Sequence, residues 1–101
     1  MKPILPRRKV APAPKIGRRA DQDPLTAPIT AIFGRELRRI RTEAGVSQER
    51  LAHQASMDRT FVSQIERGIR QPTITKLWRL SRALGVEITT LVECLESFDP
   101  R

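Results

Sequence analysis

Apolar residues recur at helical spacing from about residue 29 to the end of the chain, and nowhere do they alternate as in a strand. Phe33, Leu37, Ile40 and Ala44 form one narrow stripe, with Gly45 placed to end the helix, so helix 1 is expected from Ile29 or Thr30 to Ala44. Two short helices follow around a sharp turn in QERLAHQASMDRTFVSQIER, residues 48 to 67. The first, capped by Ser47, turns Leu51, Ala52 and Ala55 inward, and the small Ala52 lets its neighbour cross closely. The second, capped by Asp58, has Val62, Ile65 and Ile69 on one face with Phe61 at the edge. Its other face is Thr60, Ser63, Gln64 and Arg67, polar side chains without salt-bridge partners of their own.

The loop GIRQPT comes next, where Pro72 restricts Gln71 to extended backbone. Thr73 can cap a fourth helix that carries Ile74, Leu77, Leu80 and Leu84 inward before Gly85 stops it. A fifth helix should start near Ile88 or Thr89. Ile88, Leu91, Val92, Leu95 and Phe98 fall on one side of it, more apolar surface than a last helix needs to cover its own core, and Leu91, Leu95 and Phe98 are therefore expected at a dimer contact. The fold class is all-α: five helices in one compact domain over residues 29–98. Residues 1–28 alternate most of the chain's prolines with Arg, Lys and Ala and are expected to be a disordered arm.

Charge points to a partner. The 101 residues have a net charge of +8, and residues 1 to 29 hold seven Lys/Arg against two Asp while the remainder holds twelve against nine. Such an excess suits a polyanion, nucleic acid before membrane, because no segment approaches the ~20 apolar residues needed to span a bilayer. The basic arm is either a solvated tail or a segment that tracks phosphates and enters a minor groove. Arg35, Arg38 and Arg39 on the outer side of helix 1 are expected to be a solvated face. With only four aromatic residues and 39% hydrophobic content the core is modest, which makes shared stabilisation by a second subunit reasonable.

The helix-turn-helix spacing, and above all the run DRTFVSQIERG, resembles the XRE-type regulators, the lambdoid repressor and Cro family. It is especially similar to the controller proteins of restriction-modification systems, which have DRT followed by an aromatic residue at the recognition helix. The resemblance covers about Ile32 to Leu95. It implies a compact five-helix repressor-like domain that binds a near-palindromic DNA operator as a homodimer in the cytoplasm, close to the nucleoid. Arg59 stands where family members reach base edges, and an arginine can bond guanine O6 and N7 together. Thr60, Ser63 and Gln64 are the further candidate base contacts, Gln64 being suited to adenine. Gln48, Arg67 and Arg70 are the candidate phosphate contacts, Gln48 because the family holds a phosphate at the start of helix 2. The family also pairs an arginine with a glutamate of the recognition helix, which matches Arg41 and Glu66; both lie beside the buried faces of their helices. At the turn the family usually has glycine with positive φ, and this chain has Ser56.

Other chemistry finds no residues. Cys94 is the only cysteine, which excludes an intrachain disulfide and a cysteine metal site and fits a reducing compartment. His53 is alone and expected on the surface, so no metal is implied. Trp78, at the edge of helix 4's apolar face, is expected to pack over the domain or the arm. No glycine-rich phosphate loop, paired carboxylates or nucleophile elbow occurs, so neither an enzyme nor a cofactor or small-molecule ligand is expected. The rival reading is a protein-interaction module such as an antitoxin, with the helix-turn-helix retained as a scaffold.

Overall fold

The computed structural model describes residues 24–100; most of the arm, residues 1–23, lies outside the described residues. The element order is α1 (Thr26–Glu43), α2 (Gln48–Gln54), α3 (Arg59–Glu66), α4 (Ile74–Leu84), α5 (Ile88–Val92) and a 3-10 turn (Glu93–Leu95), with no strand among the described residues. None of these helices is long and apolar enough to cross a membrane. Ser47, Asp58 and Thr73 cap α2, α3 and α4: their side-chain oxygens accept from the N–H of Arg50, Thr60 and Lys76 at 3.1, 2.8 and 3.2 Å.

Helix α1 starts at Thr26, ahead of its expected start at Ile29 or Thr30 and inside the expected arm. Pro28 does not prevent this, because in the first turn its missing N–H would have had no intrahelical acceptor. What holds that turn is Thr30, which is buried. Its Oγ1 lies 3.0 Å from the Gly68 carbonyl, past the end of α3, as well as 3.1 and 3.0 Å from the carbonyls of Thr26 and Ala27 in its own helix.

Helices α1 to α4 end in the same way. The N–H groups of Val46, Met57, Ile69 and Val86 reach carbonyls five residues back, on Arg41, Ala52, Gln64 and Ser81, at 2.9 to 3.1 Å. Immediately before each of these apolar residues stands one with positive φ: Gly45, Ser56, Gly68 and Gly85. This closure satisfies carbonyls that the helix leaves without partners and folds an apolar residue back over the last turn. Ser56, at φ 57°, is the only non-glycine with positive φ among the described residues, and its left-handed backbone costs about 1 kcal/mol.

The core collects Phe33, Leu37 and Ile40 from α1, Leu51, Ala52 and Ala55 around α2, Val62 and Ile65 from α3, Leu80 from α4 and Leu91 from α5. Where α1 crosses α3 the backbones nearly touch at Gly34. A Cβ there would collide with the Ile65 carbonyl oxygen and stand 2.7 Å from that of Glu66.

Several apolar positions depart from their expected places. Ala44 is exposed at the end of α1, and α3 stops at Glu66, short of Ile69. Ile74, expected inward, is 85% exposed. It is the first residue of α4, and helical side chains tilt toward the N-terminus, so it projects past the helix start instead of onto the core. Trp78, one turn on, is half exposed with the Arg82 guanidinium 5.9 Å from its ring centroid. Helix α5 is only five residues, since β-branched Ile88, Thr89, Thr90 and Val92 propagate a helix poorly. Leu91 is fully buried in the subunit's own core, which corrects its expected place at a dimer contact; Leu95 and Phe98 are half-buried, Phe98 beyond the 3-10 turn.

Candidate nucleic-acid interface

Helix α3 is held from beneath so that its outer edge can stand free. Val62 and Ile65 are wholly buried, and the Glu66 side chain, only 2% exposed, lies at the centre of a polar joint between helices. Arg41 of α1 donates from Nε to Glu66 Oε2 at 2.6 Å and from Nη2 to Oε1 at 3.1 Å, a two-point fork. Its Nη1 donates to the Val46 carbonyl at 2.8 Å, so the same guanidinium also fixes the entry to α2. Gln48 of α2 completes the joint, its Nε2 donating to Glu66 Oε1 at 2.9 Å. One carboxylate thus ties α1, α2 and α3 together. The Gln48 amide thus gives one of its two N–H donors to this joint, adding a third hydrogen bond to a buried carboxylate that Arg41 already holds at both oxygens.

The structure gathers the candidate base contacts on one edge. Arg59 and Thr60 are exposed in the first turn of α3, Ser63 and Gln64 are half-buried in the second, and Arg67 is exposed just after it. The side chains of Arg59, Thr60, Ser63 and Arg67 make no hydrogen bond or ion pair among the described residues, so their donors are available to a partner. Gln64 and Arg70 are joined instead: Arg70 Nε donates to Gln64 Oε1 at 2.8 Å. The Arg70 guanidinium stands 5.7 Å from the centroid of the Phe61 ring, and Lys76 Nζ stands 4.0 Å from it, both within cation–π range. An open concavity lined by Arg50, His53, Asp58 and Arg59 continues this edge along α2.

Two of these features are not foreseeable from helical spacing. The Phe61 ring links α3 to Lys76 of α4 across a loop, and Gly34 sets how near α1 approaches α3. The only available signals were an aromatic at the edge of a polar face and a glycine inside an otherwise regular helix.

Elsewhere the surface chemistry is ordinary. Arg39 bridges Glu36 and Glu43, each at 2.7 Å, so the outer side of α1 is less basic than Arg35, Arg38 and Arg39 alone suggest. The Arg39 hydrogen bond holds the Glu36 carboxyl below the usual carboxylate range. Burial, and then the Glu36 charge, push the Cys94 thiol up, which favours its protonated form. No group of three or more His, Cys, Asp or Glu side chains is placed to hold a metal among the described residues.

This architecture has relatives. The helix-turn-helix family model matches residues 37–91. The control protein C.BamHI of Bacillus amyloliquefaciens is 37% identical over 70 residues, covering 68% of this chain and 86% of that protein. The control protein C.MunI of Mycoplasma sp is 37% identical over 65 residues, covering 63% and 88%. Among solved structures, the restriction-modification controller C.AhdI from Aeromonas hydrophila superposes with a TM-score of 0.61 at 39% identity, covering 61% of this chain and 94% of that one.

Proposed function

The chain belongs to the helix-turn-helix family of XRE-type transcriptional regulators, and from that premise we propose that it binds duplex DNA sequence-specifically as a homodimer and controls transcription as restriction-modification controllers do. The observation that carries this reading is the edge of α3. Arg59, Thr60, Ser63 and Arg67 offer free donors on a helix whose opposite face is locked by Val62, Ile65 and the Arg41–Glu66 fork. A rigid helix with a polar free edge suits a major groove, which admits one α-helix and presents donors and acceptors along the base edges.

In this reading Arg59 bonds a guanine, Thr60 and Ser63 contact neighbouring bases, and Arg67 meets a phosphate. Two recognition helices enter successive major grooves about 34 Å apart, and the two-fold axis imposes a near-palindromic operator. Half-buried Leu95 and Phe98 supply the subunit contact. A protein-interaction module would be expected to show acidic or apolar residues along the outer edge of α3, where this chain has Arg59, Thr60, Ser63, Gln64 and Arg67.

Selection of bound sites from random duplexes tests the proposal. A near-palindrome with two half-sites one helical turn apart is expected. Recovery of no sequence preference would contradict it.

A further inference from the structure

The chain after α3 folds back onto a single residue of the helix. Gly68, at φ 77°, turns the backbone so that the N–H groups of Ile69 and Arg70 both reach the Gln64 carbonyl, at 2.9 and 3.4 Å. Arg70 then takes hold of the same residue again, its Nε donating to Gln64 Oε1 at 2.8 Å. Its guanidinium is steadied from another side by the Phe61 ring at 5.7 Å. Turn, ring and amide together fix where this arginine lies.

The bond also fixes the amide. A guanidinium has donors and no acceptor, so the amide atom that faces Arg70 has to be the oxygen, and the Gln64 NH2 group is turned away from it. Accepting a charge-assisted bond occupies one of the two acceptor sites on Oε1 and polarises the amide, which strengthens its N–H groups as donors. A glutamine that reads adenine needs both of its ends, oxygen for the N6 amino group and nitrogen for N7. An edge made only of acceptors, N7 and O6 of guanine or O4 of thymine, needs only the donor end.

Resting on the reading that α3 enters a major groove, we propose that Arg70 is a positioning residue for base readout: it orients Gln64 to donate, so that Gln64 selects an acceptor edge, guanine or thymine, in place of adenine. Arg70 therefore contributes to specificity without touching a base, and the assignment of Gln64 to adenine and of Arg70 to a phosphate is replaced.

The test is quantitative site selection from random duplexes, run in parallel on the full chain and on Gln64→Ala, Arg70→Ala and Arg70→Lys. Gln64→Ala identifies the base pair in each half-site that Gln64 reads, as the one whose preference it abolishes. At that pair the wild type is expected to prefer guanine or thymine over adenine by about fivefold or more, the lower end of what a specific base contact contributes. Arg70→Ala should erase that preference or move it to adenine while the other positions keep theirs. Arg70→Lys should do the same, because lysine keeps the charge but places a methylene where Nε stands. Adenine selected by the wild type at the Gln64 pair, or no position altered by Gln64→Ala, would overturn the inference. So would an Arg70→Ala profile unchanged at every base with affinity lowered evenly, the mark of a phosphate contact. If the wild type selects no sequence at all, the DNA-binding reading fails first and takes this inference with it, a result distinct from the others.

Discussion

Glu66 is the side chain on which the recognition helix depends. Its carboxylate is almost completely shielded and accepts from Arg41 twice and from Gln48 once, so removing it strands a guanidinium that is only 13% exposed. Breaking one side of such a pair costs about 3 kcal/mol. Glu66→Ala should therefore lower the melting temperature by about 12 °C or more, taking ~4 °C per kcal/mol for a domain of this size. A melt within a degree or two of the wild type would show that the joint contributes little. Ser56 offers a test of opposite sign. Its φ of 57° suits glycine, so Ser56→Gly should raise stability by less than about 1 kcal/mol, part of the gain being offset by the freedom glycine has when unfolded. Ser56→Val should lower it by about 1 to 2 kcal/mol, since a β-branched side chain tolerates this region least. Urea midpoints should rank Gly above Ser above Val; a valine variant as stable as the wild type would contradict the strain.

The helices are assembled by close crossings and shared ends more than by their individual propensities. Gly34 permits α1 to lie against the end of α3, and Gly34→Ala would drive a methyl into the carbonyls of Ile65 and Glu66. Despite the better helix propensity of alanine, the substitution should cost about 1 to 3 kcal/mol, as overpacking does, and a denaturant titration showing no loss would mean the crossing can relax. The sequence made legible the order of α1 to α4, the starts of α2, α3 and α4 and the ends of α1 and α4, because caps and turn residues act locally: Ser47, Asp58, Thr73, Gly45 and Gly85 each do their work within a few residues. It made the outer edge of α3 legible because Val62 and Ile65 leave only one side for Arg59, Thr60 and Ser63. It did not show the start of α1, which is settled by the hydroxyl of Thr30 meeting Gly68, 38 residues away. Nor could periodicity separate buried Leu91 from half-buried Leu95, since both lie on the same projected stripe and only the short α5 distinguishes them. The bond between Gln64 and Arg70 was hidden for a related reason. It depends on the backward turn at Gly68, and a projection that continues α3 as a helix to Ile69 passes straight over that turn.

The excess of positive charge, the free edge of α3 and the family's relatives support the proposal that two copies of the chain grip one DNA site. If Leu95 and Phe98 form the subunit contact, Leu95→Glu should give monomers in sedimentation at tens of micromolar, a range chosen as an order of magnitude for a working dimer, and should weaken operator binding. A dimer that survives this change would move the contact elsewhere. The basic arm is tested by removing residues 1–23. Every phosphate that the arm neutralises adds about 0.9 to the slope of log affinity against log salt, so the shortened chain should show a flatter slope, and an unchanged one would leave the arm a solvated tail. Sequence-specific reading by α3 is tested most directly by Arg59→Ala, measured on the selected operator and on random duplex at the same salt. The expected result is a loss of about 1 to 3 kcal/mol on the operator, a relaxed preference at one base pair in each half-site, and a much smaller loss on random DNA. Equal losses on both duplexes would contradict it, because Arg59 would then be holding a phosphate and the free edge of α3 would not be reading the base it faces.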